Sequence, residues 1–304
     1  MATDATILEQ FVLSREISPW GRFRRSLWSF IRHKPLGSIC ALIVIALIAM
    51  ALFPGAFSRG VNPDVGVLSD RLHGPSTSHW MGTDQNGRDM WARIMYGART
   101  SIIIGFGVVA VATILATILG ILSGYFSGWI DTVVQRIVDI GIALPGLVFV
   151  ILFVVSLQQL DVRLRIILSV GLLIAVGSSR IIRGAAIAAK ENQYVEAARV
   201  LGASDMRIVF RHVLPNVVAI IIVSASIQIG AAILIESALA FLGYGVQPPV
   251  ASWGRMLNDA QLQIQNHFYL AVFPGLAIFL TVYSFNMLGD ALRDVLDPRL
   301  RGSR

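Results

Sequence analysis

Six long apolar runs, separated by short and mostly basic polar segments, set the pattern of this chain. A helix needs about 20 predominantly apolar residues to cross roughly 30 Å of hydrocarbon. No charge falls between Lys34 and Arg59, and Leu36 to Phe53 is almost wholly apolar, which predicts a first crossing. A second fits between Arg99 and Asp131, and a third between Asp139 and Asp161. The fourth is shorter, because Arg165 and Arg180 bracket only Ile166 to Ser179. It must run past one or both arginines, whose long stems reach towards the headgroups. The fifth is expected from about Val217 to Leu239 and the sixth from about Phe268 to Leu288. A leader of roughly 35 residues ahead of the first run favours an anchoring helix over a cleaved signal peptide. The fold class expected is therefore all-α: a polytopic membrane protein with about six transmembrane helices and both termini on one side.

Composition agrees with lipid as the main solvent. Of 304 residues 55% are hydrophobic and only 14% charged, with a mean hydropathy of +0.70, more apolar than a soluble domain tolerates. The net charge of +7 raises the question of nucleic acid. The basic residues, however, sit between apolar runs, where they set membrane orientation and meet anionic headgroups. The lipid bilayer, and no nucleic acid, is the partner they imply. With both termini inside, seventeen of the 25 Lys and Arg residues fall in inner segments and eight in outer ones. Cytoplasmic termini follow from that bias. Cys40 is the sole cysteine, so no intramolecular disulfide exists.

Small residues punctuate the second crossing and its exit at Gly105, Gly107, Gly120, Gly124 and Gly128, the last three spaced four apart. In lipid that spacing lets helix backbones approach. Pro145 is placed to kink the third crossing, and Pro215 to mark the start of the fifth. Glu236 is the one carboxylate within the fifth apolar run. An ionisable group there is a candidate for the transport pathway, although its place near the outer end suits a solvated or helix-packing role equally.

The longest basic interruption runs from Ser178 to Asn216. Glu191 to Leu201 reads as a helix, Gly202 breaks it, and Ala203 to Val213 reads as a second helix that Pro215 ends, with Ser204 or Asp205 placed to cap it. Glu196, Ala197 and Ala198, then Gly202, then Leu214 and Pro215 resemble, at full spacing, the signature of membrane subunits of binding-protein-dependent ABC importers. His212 stands where many members carry isoleucine, a variation similar to the peptide-importer branch. The resemblance implies a type I (MetI-like) permease architecture. It also implies that these seven residues form a coupling segment, within residues 190–216, that docks on a cytoplasmic ATPase. The chemistry suits such a joint: the alanines allow close docking, Gly202 permits the turn, and Glu196 can pair with a partner's cation.

Two outer stretches and the tail narrow the resemblance. His79 to Asp84, Gly87 to Asp89 and Tyr96 to Ser101 resemble the segment before the second crossing in dipeptide, oligopeptide and nickel importers, with Met81 and Ala92 as mild departures. Phe241 to Gly243, Gln247 to Pro249 and Ser252 to Gly254 resemble another outer stretch, and Asn286, Leu288 to Asp290, Leu292 to Asp294 and Asp297 to Arg299 the cytoplasmic tail. Together they are similar to the "C" permease of the dipeptide/oligopeptide group over roughly residues 20–302. That likeness implies a bacterial plasma (inner) membrane location, a second homologous permease, two ABC ATPase subunits and an extracytoplasmic substrate-binding protein. Cargo would be peptides, with nickel complexes, glutathione or oligosaccharides as alternatives. Residues 58–99 mix aromatic, glycine and charged positions, as an ordered surface facing a soluble partner does. Trp80, Asp84, Arg88, Asp89, Gln247 and Trp253 are the candidates to face the binding protein, and internal Asp–Arg pairs are a compatible reading of the same loop.

The domain organisation expected is a cytoplasmic segment over 1–35, a first helix over 36–57, an outer loop over 58–99, a five-helix core over 100–290 and a cytoplasmic tail over 291–304. No GxxxxGK[ST] loop exists: Lys34 follows His33 and Lys190 follows Ala189, so the chain cannot cradle nucleotide phosphates in that way. ATP and Mg are expected on partner subunits, with no cofactor bound here. The five histidines give no metal pair at helical spacing, and no catalytic triad is placed by sequence. Two rivals remain at this point: an ion-coupled secondary transporter, which needs buried carboxylates and broken helices, and a membrane-embedded enzyme.

Overall fold

The computed structural model describes Arg32 and residues 34–296. Most of the segment expected over 1–35, and residues 297–304 of the tail expected over 291–304, with Asp297, Pro298 and Arg299, lie outside the described residues. Among those described, helices α1 (Pro35–Leu52), α2 (Pro54–Phe57), α3 (Met90–Phe126), α4 (Gly128–Ala143), α5 (Gly146–Ser156), α6 (Val162–Lys190), α7 (Gln193–Val200), α8 (Asp205–Ile208), α9 (Leu214–Phe241), α10 (Trp253–Ala260) and α11 (Tyr269–Leu296) follow one another. Five spans, α1, α3, α6, α8 through α9, and α11, are long and apolar enough to cross a membrane.

α3 is the longest single helix at 37 residues, about 55 Å at 1.5 Å per residue. It outruns the hydrocarbon, and the helix begins ahead of the expected crossing, with Arg93 and Arg99 within it. Its first turn is capped by the Asp89 carboxylate, which accepts from the Ala92 N–H at 2.9 Å. α6 likewise carries Arg163, Arg165, Arg180 and Arg183, as an extended fourth crossing requires.

The third crossing is not straight. α4 and α5 meet at a bend of 98° around Leu144 and Pro145. Pro145 occupies the N-cap of α5, where its missing N–H costs nothing and its fixed φ suits a helix start. The pair still climbs antiparallel to α6: Lys190 donates to Ser127, Arg183 to Asp131 and Arg180 to Asp139. Further along, Gly141 lies against Val176 and Gly146 against Leu173. Since α3 ends and α6 ends at one face, while α6 begins at the other, α4 and α5 together make the traverse.

Two faces result. On one, residues 58–89 and α10 gather over the starts of α3 and α11. On the other, α7 and α8 project beyond the ends of α3 and α6. Lys34 at the head of α1 pairs with Asp294 near the end of α11, so the start of α1 and the end of α11 lie at the same face.

α3 and α6 form the central pair. A Cβ on Gly120 would stand 2.8 Å from the Ser179 carbonyl, and one on Gly124 2.7 Å from that of Arg183. These two glycines therefore let backbone meet backbone. Gly128, the third of the spaced set, does not take part: a Cβ there would meet nothing within 4 Å, and its φ is +61°. It turns the chain from α3 into α4.

Gly120→Val is expected to cost about 1–3 kcal/mol by overpacking. Gly184→Ala, on the same helix pair but with nothing within 4 Å, should be neutral or stabilise by up to about 1 kcal/mol. Thermal unfolding of the two variants in detergent checks both signs.

Candidate functional site

The α7–α8 elbow is built by a helix end that glycine alone suits. Gly202 has φ +80°; its N–H donates to the Arg199 carbonyl at 3.0 Å, and the Ala203 N–H donates to the Ala198 carbonyl at 3.0 Å. This pair of bonds closes α7 with a left-handed residue. Ser204 takes the N-cap position of α8 with extended backbone, but its side chain makes no capping bond. Asn192 serves the preceding helix, its amide donating to the carbonyls of Ala188 and Ala189 at the end of α6.

The second arm differs from the sequence expectation. It does not stop at Val213: α8 continues through a π-helical turn, Val209–Val213, directly into α9. The Leu214 N–H reaches back to the Val209 carbonyl. Pro215 lies in the first turn of α9, where its missing N–H breaks no ladder that the widened turn has not already relaxed. His212 sits within that turn, its ring 6.2 Å from Tyr194 of the first arm, and Leu214 is half-buried behind it.

The elbow is amphipathic. Val195, Ile208, Val209 and Val213 are buried against Tyr125, Ala186 and Ala189, with Ala198 packed against the same cluster. Ala198 thus faces the bundle, and only Ala197 of the alanine pair is exposed, beside Glu196. Facing outward are Val200 and Leu201, 82% and 87% exposed, with Met206 and Phe210. Arg199 stands beside the Tyr125 hydroxyl, Asp205 and Glu196. Tyr125 above all, then the two carboxylates, hold its pKa above the usual arginine value.

Residues that the sequence did not single out anchor this elbow. Tyr125, buried at the end of α3, donates its hydroxyl to Asp205 Oδ1 at 2.6 Å. The Lys190 ammonium lies 5.7 Å from the centroid of the Tyr125 ring and donates to Ser127 at 3.0 Å. Arg183 grips Asp131 through two bonds of 2.8 and 2.6 Å, and Ser123 shares that carboxylate. Only spatial proximity joins these positions, so no local spacing could reveal them.

At the opposite face the cap is knit by buried charge. Asp84 accepts from Arg88 Nε at 2.7 Å, with Arg93 Nε at 3.5 Å, and its other oxygen takes the N–H groups of Asn86 and Arg88. Asp89 caps α3 and holds His79 Nδ1 at 2.8 Å. Trp253 is fully buried, its indole N–H donating to the Ile94 carbonyl at 3.1 Å. Asp84, Arg88, Asp89 and Trp253 therefore lie beneath the surface and hold the cap together, because each finds its partner within the chain. Of the six candidates for a partner-facing role, Trp80 is 51% exposed and Gln247 is exposed. Arg59 lies over the Trp80 ring at 4.6 Å. The Gln247 amide donates to the carbonyls of Gly243 and Gly245.

Glu236 is not solvated. It is 0% exposed and accepts from Ser101 and Ser237 at 3.4 Å each, wedged between α3 and α9 close to the start of α10. Both bonds fall on Oε2, and Oε1 is buried without a hydrogen-bond partner. On the far side of α9 a groove of about 720 Å³ opens between α9, α10 and α11, lined by Leu234, Phe241, Leu257, Phe279, Tyr283 and Asn286. Among the described residues no cluster of three or more His, Cys, Asp or Glu could hold a metal ion.

Residues 116–302 match the family model described as binding-protein-dependent transport system inner membrane component. The chain belongs to this family. It is similar to the glutathione transport system permease protein GsiD of Escherichia coli O157:H7, 38% identical over 285 residues that cover 94% of this chain and 92% of that protein. GsiD of Shigella flexneri serotype 5b is 40% identical over the same coverage. The chain is thus a permease of an ABC importer, an all-α, multi-pass inner-membrane protein of the type I architecture, and the stretch from Glu196 to Pro215 lies inside the matched region.

Asp84→Ala leaves two guanidinium groups buried without their shared anion and is expected to cost about 3–5 kcal/mol, read as earlier thermal unfolding and proteolysis within residues 58–89. Trp80→Ala, which trims an exposed ring, should change stability by no more than about 0.5 kcal/mol.

Proposed function

We propose that this permease carries short peptides, the class to which glutathione belongs, and that residues 190–216 are the joint through which a cytoplasmic ATPase drives it. The exposed Val200–Leu201 tip supports this reading most directly. Two aliphatic side chains held out of the bundle by a glycine turn, on an otherwise basic face, want an apolar groove. Burying each is worth about 1.5–3 kcal/mol, and such an exposed apolar patch marks an interaction site. Glu196 beside the tip is free to meet a cation of the ATPase. On this reading the α7–α8 face is cytoplasmic, as are both termini, in keeping with the excess of Lys and Arg there.

The assembly completes itself with a second, homologous permease, two ATPase subunits that bind ATP and Mg, and a binding protein that delivers cargo to the opposite face near Trp80 and Gln247. In the span from α8 through α9 the most apolar stretch is only 22% buried, against 44% in α6, and the bare side of α9 with the α11 groove is the face we assign to the second permease. Closure of the ATPases on ATP draws the elbow, and the crossings alternate between outward and inward opening. Nothing in this cycle breaks a bond in the cargo.

In membrane vesicles holding all subunits, Gly202→Val should insert at wild-type levels yet cut ATP-driven uptake about tenfold or more, since a β-branched residue at φ +80° costs at least about 1–2 kcal/mol. Gly202→Asn, which tolerates that conformation, should retain most uptake. Labelled glutathione and labelled dialanine serve as cargo. A cysteine at Leu201 should crosslink to the ATPase, and a tip that crosslinks to no ATPase overturns the reading.

A further inference from the structure

The elbow touches the rest of the molecule through a small apolar cluster and few directional bonds; besides the Asn192 amide on the end of α6, they meet at one side chain. Tyr125 is the last residue but one of α3 and is 2% exposed. Its hydroxyl donates to Asp205, the first residue of α8, at 2.6 Å. Arg199 of α7 approaches the same hydroxyl. Lys190, the last residue of α6, lies by its ring at 5.7 Å. One phenol therefore joins both arms of the elbow to the ends of the two central helices.

What lies behind Tyr125 gives the junction its reach. α3 runs without proline from Met90 to Phe126, so a push on its elbow end is carried along an unbroken hydrogen-bonded rod. At the far end that rod is clamped in the cap by the Asp89 side chain on Ala92 N–H, by Arg93 on Asp84 and by Trp253 on the Ile94 carbonyl. The second arm is held differently: a π-helical turn at Val209–Val213 interrupts its α-helical ladder, and the apolar stretch of the span from α8 through α9 is 22% buried against 39% for α3. Without a directional tie at Tyr125, movement of the tip would be taken up in the π turn and would not reach the cap.

We propose that Tyr125 is a positioning residue for energy coupling: its hydrogen bond to Asp205 carries displacement of the elbow into α3 and so to the opposite face. The proposal rests on the reading of residues 190–216 as the ATPase joint. Hydroxyl and carboxylate form the tie, and the apolar ring packing of Tyr125 with Ala186 and Val195 is a separate contribution that phenylalanine preserves.

The test uses the complete importer in proteoliposomes, with whichever of labelled glutathione or dialanine the wild type imports. Tyr125→Phe should lower cargo imported per ATP hydrolysed by about tenfold, the size of effect that loss of one hydrogen bond to a carboxylate produces. Asp205→Ala should do the same. Asp205→Asn, which keeps an acceptor oxygen, should stay near wild type, and the double variant Y125F/D205A should be no worse than either single one. A merely structural role would lower the amount of assembled complex and leave the cargo-to-ATP ratio alone.

A second readout needs no cargo. Spin labels at exposed Leu201 and Trp129 report the distance between the elbow tip and the start of α4. In the wild type that distance should be the same in the nucleotide-free and vanadate-trapped states, and in Tyr125→Phe it should change. A Tyr125→Phe importer with an unaltered ratio and unaltered distances overturns the proposal alone if Gly202→Val has lost uptake. If Gly202→Val also transports normally, the ATPase joint itself is wrong and the proposal goes with it.

Discussion

The close approach of α3 to α6 is the constraint on which the remaining architecture rests. Lipid offers little hydrophobic drive for one apolar helix to find another, so association depends on van der Waals contact and on small residues that admit it. Gly120 and Gly124 bring α3 against the carbonyls of Ser179 and Arg183, which leaves the ends of the two helices side by side. That adjacency places Tyr125 and Lys190 together and gives the elbow its base. Antiparallel to α6, the bent α4–α5 pair then finds its register through Asp131 and Asp139 on Arg183 and Arg180.

The two faces use polar groups differently. At the cap, Asp84, Arg88 and Arg93 are buried as a network in which the anion's oxygens are shared among guanidinium and backbone donors. Burying charge is costly and repaid only when such geometry is complete, so the cap is specified tightly. At the elbow the inward side is an apolar cluster of Val195, Ile208 and Val213, and the outward side chains are bare.

The secondary-transporter alternative asked for broken helices and buried carboxylates near the midplane, and both features occur, though not together. The break at Leu144–Pro145 is flanked by Val176 and Leu173 across the helix pair, with no carboxylate beside it. Glu236 lies in an unbroken helix, held by serine hydroxyls from α3 and α9. The break and the carboxylate are thus apart, and membership of the importer family accounts for the chain.

The helical spans were legible from charge-free runs, because a backbone in hydrocarbon must satisfy its own hydrogen bonds and has only the helix in which to do so. Gly202 was legible for a similar reason: a helix that must turn at once needs a residue free to take positive φ. Neither inference depends on distant parts of the chain. What the sequence could not disclose was which way polar side chains face. Asp84, Arg88, Asp89 and Trp253 read as a surface, yet Trp253 finds its acceptor 159 residues away at Ile94, and a partner at such separation exists only once the helices pack. The same holds for Tyr125 and Asp205, 80 residues apart, and for the π turn that carries α8 into α9. Local chemistry decided where this chain is helical and where it bends, whereas tertiary contact decided which of its polar groups are internal ties and which remain free to meet another molecule.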